Sequence, residues 1–318
     1  MTTKSTIGRR QFLTAAGAAA IAPIALPAGA AIARSNRGTS TSPSADNGAD
    51  VRKLPRLFTG LCAYSFRQAL GSGKMTMEDF IRKGVELRTD GVDMTAYWWK
   101  SMEPAYVTGL RHLAFKEGVP FSGAACGASM VQADASKRAQ TLDEIKKWTD
   151  ATAILGAPHL RIFAGKAPAG VTVAQALDWC VETMKPACEY AAGKGVTLGV
   201  ENHDGVTQKA DVCLELMRRV DSPYAGINLD ITNFVADSDQ DQYRQIEACI
   251  PCATHTHIRD RFGDSHHLID FDRVWQMFAK GGYKGYMSVE YEGEEDPETG
   301  VPKLLDRIRE LNRKYSSV

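Results

Sequence analysis

Val196-Thr-Leu-Gly-Val-Glu201 is the first of four short segments that decide the fold. The other three are Ala225-Gly-Ile-Asn-Leu-Asp230, Ala253-Thr-His-Thr-His257 and Tyr286-Met-Ser-Val-Glu290. Each is a short, largely apolar run that ends in a residue able to bind a metal ion. The end residues follow one another at gaps of 29, 27 and 33 residues. This repeat is about one strand plus one helix long, and polar residues at successive strand ends are typical of the rim of a parallel barrel.

Four further strand-like segments precede these, at residues 58–64, 91–94, 121–125 and 159–163. Helical patterns with apolar residues at three- and four-residue spacing separate the strands. They cover residues 77–87, 104–116, 142–155, 173–194, 210–220, 240–249, 270–280 and 303–315. Gly91, Gly118, Gly195 and Gly285 stand before strands and are predicted to end helices.

Strict alternation of strand and helix predicts the α/β class and a single (β/α)8 TIM barrel. An open doubly wound sheet is the alternative. That fold needs a glycine-rich phosphate loop after the first strand, and Leu61-Cys-Ala-Tyr-Ser-Phe-Arg67 contains no glycine. The barrel is therefore the preferred fold, and we assign it to residues 57–318.

The N-terminal segment is predicted to direct export rather than to form part of the fold. Gly8-Arg-Arg-Gln-Phe-Leu13 places two arginines before an alanine-rich apolar run that ends in Ala31-Ile-Ala33. This arrangement is typical of a twin-arginine signal peptide over residues 1–33. An amphipathic helix and a membrane anchor are the alternatives. Residues 34–56 are rich in Ser, Thr, Gly and Asn and are predicted to be a disordered linker.

Charge and cysteine content exclude several classes of protein. The formal net charge is zero, so neither nucleic acid nor an anionic membrane surface is an expected partner. The seven cysteines contain one close pair, Cys249 and Cys252. A structural zinc site needs four ligands at matched spacings, so this pair is predicted to be structural only.

The end residues of the four segments are predicted to form a metal site, since the C-terminal ends of barrel strands converge on one mouth. Two glutamates, one aspartate and one histidine form an oxygen-rich ligand set without a thiolate. Such a set favours one divalent ion of Mn²⁺, Mg²⁺ or Co²⁺, with Zn²⁺ also compatible. The predicted metal ligands are Glu201, Asp230, His257 and Glu290. Ordinary polar residues at helix entries are the alternative interpretation.

Four local motifs carry a family resemblance. They are Val-Glu201-Asn-His203, Asn-Leu-Asp230, His-Thr-His257-Ile-Arg-Asp260 and Ser-Val-Glu290-Tyr. Together they resemble the xylose isomerase-like TIM-barrel superfamily of sugar isomerases and epimerases. The resemblance implies a divalent ion held by the four predicted ligands. In the ketose 3-epimerase branch it also implies that Glu201 and Glu290 are catalytic, one removing a proton beside a carbonyl and the other returning it.

Two positions depart from that branch. Its members carry a histidine three residues after the aspartate of strand six, where this chain has Asn233. They also place an arginine about six residues after the histidine of strand seven, where this chain has Gly263. The superfamily resemblance is therefore stronger than the resemblance to the epimerase branch. His255 is predicted to lie deeper in the barrel than His257.

Five further residues are predicted to bind substrate. His203 follows Glu201 at the mouth. Arg161 lies within strand four, where a charge needs a partner, so it either pairs with a carboxylate or binds a substrate oxygen. Arg259 lies within the strand-seven motif. Trp98 and Trp99 follow strand two, where they either stack on a sugar ring or pack between helices.

The expected function is a metal-dependent isomerase or epimerase that acts on a free or glycosidic sugar. A lyase that causes β-elimination from 3-keto glycosides and a non-catalytic sugar-binding barrel are the alternatives. A nuclease is disfavoured by the neutral charge and by only seven histidines. The expected partners are a small carbohydrate and the twin-arginine export machinery, in a periplasmic or otherwise exported location. Homo-oligomerisation is also compatible with the resemblance.

Overall fold

The computed structural model describes residues 54–316. The predicted signal peptide (residues 1–33) and most of the predicted linker (residues 34–56) lie outside this range. The first strand begins at Arg56, the last residue that we assigned to the linker. None of the helices within residues 54–316 is long and apolar enough to span a membrane.

Eight parallel strands form a closed barrel in which each strand pairs with the next and β8 pairs with β1. The predicted (β/α)8 barrel is thereby confirmed. The strands are β1 (Arg56–Cys62), β2 (Gly91–Thr95), β3 (Phe121–Ser129), β4 (His159–Phe163), β5 (Thr197–Glu201), β6 (Ala225–Asp230), β7 (Ala253–Ile258) and β8 (Lys284–Val289).

Helices follow every strand and cover the outside of the barrel. After β1 the chain forms a short helix and a longer one, and each later strand is followed by one α-helix. The helices are α1 (Arg67–Gly71), α2 (Met77–Glu86), α3 (Pro104–Glu117), α4 (Ala135–Leu155), α5 (Val173–Ala192), α6 (Ala210–Val220), α7 (Asp239–Cys249), α8 (Phe271–Lys280) and α9 (Pro297–Tyr315).

Side-chain caps fix where several helices begin. Thr76 begins α2 and Thr172 begins α5, each in a reciprocal capping box. Asp134 accepts hydrogen bonds from the Ser136 and Lys137 amides, so α4 begins seven residues earlier than the apolar pattern predicts. The first turns of α4 are exposed and polar, and they carry no apolar periodicity from which their helical state could be predicted.

The glycine predictions are partly wrong. Gly118 and Gly195 have φ angles of 75° and 69°, the left-handed conformation that ends a helix. Gly91 is the first residue of β2, where the predicted strand 91–94 also begins, and Gly285 is the second residue of β8, so neither ends a helix. A Cβ atom on Gly91 would lie 2.6 Å from the Tyr286 ring, so this glycine makes room for an aromatic side chain.

The interior of the barrel carries polar side chains in two successive layers. Residues two apart on a strand point to the same face, so Asn228 and His255 lie one step below Asp230 and His257. We call His159, Ser122, Asn228 and His255 the histidine layer. Gly199 makes room in it, because a Cβ atom there would lie 2.2 Å from His159 Nε2. All seven cysteines are free thiols, and Cys249 is buried on α7.

Candidate metal centre

The four predicted ligands come together at the C-terminal mouth of the barrel. One ligand atom from each of them lies within 4.8 Å of the others, and all four residues are buried. We call these residues, Glu201, Asp230, His257 and Glu290, the four-residue cluster. Three are at or near the ends of β5, β6 and β7, and Glu290 directly follows β8. The spacing in the sequence thus becomes proximity in space.

Asp230 is held in place by its neighbours on two sides. Asn202 and Asp230 exchange two hydrogen bonds of 2.8 Å, one through the Asp230 amide and one through its carbonyl. The Asp230 Oδ1 atom accepts from the Thr232 amide at 2.7 Å and from the Thr232 hydroxyl at 2.6 Å. The backbone and the Oδ1 atom of Asp230 are therefore fixed by these neighbours, whereas Oδ2 contacts Arg259.

His257 is oriented by Asp93, a residue that the sequence analysis did not single out. Its Nε2 atom lies 3.1 Å from Asp93 Oδ2 in a fully buried hydrogen bond. Its Nδ1 atom has no hydrogen-bond partner in the described residues and lies 3.7 Å from Glu201 Oε1 and 3.4 Å from Glu290 Oε1. A buried histidine with one nitrogen on a carboxylate and the other open is typical of a metal ligand.

Glu201 pairs with Arg161. The two buried side chains form an ion pair of 3.0 Å between Arg161 Nε and Glu201 Oε2. Burial alone would raise the pKa of Glu201, but Arg161 and then His257 outweigh burial and hold this pKa at about 2. Arg161 also donates to the Cys126 carbonyl at 3.1 Å. Of the two roles predicted for Arg161, the structure shows the carboxylate pair.

Glu290 differs from Glu201 in its surroundings. Burial, its largest influence, raises the pKa of Glu290 to about 7, with Glu201 adding to the rise while His257 and Arg259 oppose it. The Cys62 thiol donates to Glu290 Oε1 at 3.7 Å. Cys62, Asp93 and His257 also form a compact group, but burial raises the pKa of Cys62 to about 12. This thiol therefore stays protonated.

The residues present fit a divalent cation. The open Nδ1 atom of His257 points among carboxylate oxygens, and three carboxylates supply the negative charge that a dication neutralises. Hard oxygen donors with one imidazole suit Mn²⁺, Mg²⁺, Co²⁺ or Zn²⁺. The identity of the ion stays a prediction.

Arg259 lies inside the mouth rather than free at its edge. Its Nη2 atom donates to Asp230 Oδ2 at 2.7 Å and to Asn233 Oδ1. Its Nη1 atom donates to Glu292 Oε1 at 3.0 Å. Asn233 in turn donates to Glu201 Oε1 at 3.3 Å, so it links this arginine to the cluster.

The other predicted substrate-binding residues lie at different distances from the cluster. His203 is partly exposed at the mouth, packs edge-on against Phe163 and bonds Asp204 at 2.7 Å. Trp98 belongs to a rim of aromatic rings with Tyr64 and Tyr97. The ring contact of Trp99 is with Trp148 on α4, so helix packing accounts for its position. The roles of His203, Trp98 and Trp99 in substrate binding remain predictions.

The histidine layer lies below the cluster and is satisfied by neutral partners. His255 contacts Asn228 Oδ1 and Ser122 Oγ, each at 3.1 Å, and stacks on His159 with ring centroids 5.0 Å apart. Burial lowers the pKa of His255 to about 4. His255 therefore packs beneath the cluster, in the position that the strand alternation predicts.

The fold and the cluster together define the class of this protein: a (β/α)8 barrel with a candidate metal centre at its C-terminal face. The profile of the xylose isomerase-like TIM barrel family matches residues 82–311. The chain belongs to this family, and the resemblance drawn from its motifs is confirmed. Comparison with curated proteins gave no match.

Solved structures of similar fold include two sugar epimerases and a dehydratase. D-allulose 3-epimerase from Methylomonas sp. is 17% identical, with a TM-score of 0.65 over 81% of this chain and 99% of that chain. The 3-keto-D-glucoside 4-epimerase from E. coli is 16% identical, with a TM-score of 0.61 over 80% of this chain and 99% of that chain. A probable 3-DHS dehydratase from Bacillus anthracis is 16% identical, with a TM-score of 0.61 over 82% of this chain and 100% of that chain. At these identities the likeness shows the fold.

Proposed function

We propose that this protein is a divalent-metal-dependent isomerase or epimerase that removes a proton next to a carbonyl on a neutral free or glycosidic sugar. The observation that carries the proposal is the four-residue cluster, whose ligand atoms lie within 4.8 Å of one another in buried residues. The three buried carboxylates converge on the open His257 Nδ1 atom, and the ion pairs with Arg161 and Arg259 leave this nitrogen without a partner among the described residues. A bound dication accounts for their proximity.

Glu201 and Glu290 supply a base and an acid. Glu201, with its pKa held at about 2, is ionised and can accept a proton at neutral pH. Glu290 can donate a proton only in its protonated form; burial raises its pKa to about 7 in the metal-free chain, and a dication on this carboxylate would lower the pKa again.

The ion would be held by Glu201, Asp230, His257 and Glu290. The chemistry that it supplies when bound is stabilisation of negative charge on a substrate oxygen beside the acidic carbon. Asp93 keeps the His257 ring oriented, and Asn202 keeps Asp230 in place. Arg161 keeps Glu201 ionised through its ion pair.

The charges around the cluster favour a neutral substrate. Arg161 and Arg259 are the arginines that contact the cluster in the described residues, and each is already paired with carboxylates. A phosphate or carboxylate on the substrate would therefore find no dedicated cation there. The aromatic rim of Tyr64, Tyr97 and Trp98 suits the apolar face of a sugar ring.

Solvent deuterium exchange followed by NMR tests the proposal. Metal-loaded protein is incubated in deuterium oxide with ketoses, aldoses and 3-keto glycosides, and we expect deuterium at one carbon beside a carbonyl. E201Q should abolish exchange, since the amide neither accepts the proton nor supplies the anionic oxygen that would hold the ion. E295Q is the matched control, because Glu295 is an exposed rim acid paired with Lys303. Sugar binding without any exchange would favour a non-catalytic binding barrel instead.

Elimination from a 3-keto glycoside is the second candidate. Two solved structures of similar fold, a 3-keto-D-glucoside 4-epimerase and a probable 3-DHS dehydratase, favour it. Glu201 would take the proton from the carbon beside the ketone, and the bond from the next carbon to the glycosidic oxygen would break as Glu290 protonates that oxygen. In the same NMR experiment, release of the free aglycone would identify elimination, whereas an intact glycoside would identify epimerisation.

We also propose that residues 1–33 direct export by the twin-arginine route. The support is the sequence pattern of Arg9 and Arg10 before the alanine-rich run. Fusion of this segment to a reporter should bring folded reporter into the periplasm. Substitution of both arginines by lysine should retain the reporter in the cytoplasm.

A further inference from the structure

The guanidinium of Arg259 occupies the one Asp230 oxygen that remains available to a cation. The other oxygen, Oδ1, already accepts two short hydrogen bonds from Thr232, at 2.7 and 2.6 Å. Arg259 Nη2 donates to Oδ2 at 2.7 Å. The Asp230 side chain is fully buried, so water does not offer an alternative partner. A cation that binds Asp230 through Oδ2 must therefore compete with Arg259.

Arg161 does not compete in this way. Its Nε atom pairs with Glu201 Oε2, whereas Glu201 Oε1 is the oxygen that faces His257 Nδ1 at 3.7 Å. Arg161 is almost fully buried and is held by the Cys126 carbonyl as well. Arg161 thus pairs with the Glu201 oxygen that faces away from His257, whereas Arg259 pairs with the Asp230 oxygen that a cation would need.

Arg259 has a second carboxylate partner nearer to solvent. Its Nη1 atom donates to Glu292 Oε1 at 3.0 Å, and the Glu292 side chain is 34% exposed against 0% for Asp230. Glu290 Oε2 lies 4.0 Å from Arg259 Nε. When Asp230 is given up, the guanidinium can therefore keep its charge paired through Glu292. The planar fork of arginine suits a group that bridges two carboxylates.

We propose that Arg259 is a positioning residue that competes with the divalent ion for Asp230 Oδ2 and thereby weakens metal binding. On this proposal Arg259 releases Asp230 as the ion binds, stays paired with Glu292 and then faces the substrate space of the mouth. The inference rests on the metal centre of the proposed function. It assigns Arg259 a role in setting metal affinity in addition to the predicted contact with substrate.

Calorimetric titration of Mn²⁺ into chelator-treated protein is the first test. R259M should bind Mn²⁺ at least about tenfold more tightly than the wild type, because a charge-assisted hydrogen bond no longer has to be broken. R67M is the matched control, since Arg67 also lies at the mouth but donates to the Tyr64 and Tyr291 carbonyls. Its Mn²⁺ affinity should change by less than about threefold, the effect of a distant charge in water.

Arginine modification by phenylglyoxal, mapped by mass spectrometry, is the second test. Modification of Arg259 should become faster when Mg²⁺ is added to the wild-type protein, whereas Arg67 should be unaffected. If R259M does not fold, R259K is used instead. Lysine lacks the planar fork that bridges Asp230 and Glu292, so the R259K protein should bind Mn²⁺ more tightly than the wild type.

The outcomes separate this inference from the proposed function. If neither Mn²⁺ nor Mg²⁺ binds the wild-type protein at the cluster, the metal centre itself is wrong. If the wild type binds Mn²⁺ and E201Q does not, the metal centre stands. An unchanged or weaker affinity in the Arg259 variants, or no effect of Mg²⁺ on Arg259 modification, would then overturn the competition alone.

Discussion

His255 and His257 lie on the same face of the same strand, one step apart, yet their surroundings are opposite. His255 belongs to the histidine layer, where an amide, a hydroxyl and a stacked imidazole satisfy its ring. His257 belongs to the four-residue cluster, where carboxylates surround its ring. The strand provides the orientation of both side chains, and the neighbouring strands decide the chemistry of each.

The pKa values follow this difference. Burial lowers the pKa of His255 to about 4, so this ring is neutral and uncharged in the core. Burial would lower the pKa of His257 as well, but Glu290 and the hydrogen bond that His257 donates to Asp93 outweigh burial and raise the pKa well above 6.5. The layer below therefore has the properties of a packed polar core, and the layer above has those of a cation site.

Removal of each imidazole should give the largest contrast between the layers. We expect H257Q to weaken Mn²⁺ binding by more than about 1000-fold, because it removes a ligand, whereas loss of an outer-shell partner costs about 10- to 100-fold. H255Q should leave the affinity within about threefold and lower the free energy of unfolding by about 2 kcal/mol, since it breaks buried hydrogen bonds. Calorimetry and urea unfolding measure the two quantities. Equal losses of affinity would contradict the separation of the layers.

Substitution of Asp93 should give the next largest effect. D93N keeps the shape of the side chain but removes the charge that orients and polarises His257. We expect Mn²⁺ affinity to fall by about 10- to 100-fold. S122A is the matched control, because it removes a single hydrogen bond to His255 in the histidine layer. An affinity in D93N equal to that of S122A would show that Asp93 serves packing alone.

The pH dependence of stability should show the two histidines with opposite signs. The pKa of His255 is depressed, so its contribution is present above 6.5 and is lost as pH falls towards 4. The pKa of His257 is raised, so its contribution is present below 6.5 and is lost as pH rises through the folded value. Glu290 acts like His257, because its contribution falls from pH 4.5 to about 7.

Between pH 4.5 and 6.5 the contributions of His255 and Glu290 nearly cancel, and His159, whose pKa burial lowers well below 6.5, adds a loss on the acid side. We therefore expect chelator-treated protein to be most stable near pH 6.5, with losses on the order of 2 kcal/mol towards pH 5 and pH 8.5. Urea unfolding across this range is the measurement. H257Q should flatten the alkaline side and H255Q the acid side. A profile in which both variants flatten the same side would contradict the assignment of the two pKa shifts.

The fold and the four-residue cluster were accessible from the sequence because both depend on local pattern. When a ligand residue ends a short barrel strand, the strand itself places that residue at the C-terminal mouth. Asp93 was not accessible in the same way, although a charge in the buried segment Gly91-Val-Asp-Met94 was a signal. It is 164 residues away from His257, so its partner is defined only by barrel closure.

Two other differences have physical causes. The early start of α4 depends on a cap at Asp134 ahead of exposed polar turns, which carry no apolar period. Arg259 was predicted as a substrate contact, and its pairing with both Asp230 and Glu292 depends on the ends of three strands. The spacing of residues along the sequence does not predict which of several nearby charges will pair.

The absence of a side chain at Gly199 constrains how this barrel can change over evolutionary time. A methyl group there would lie 2.2 Å from His159 Nε2, so no larger residue fits while the histidine remains. His159 stacks in turn on His255, beneath the cluster. Positions 199, 159 and 255 should therefore covary among descendants of this chain, with a larger residue at 199 tolerated only alongside a smaller one at 159.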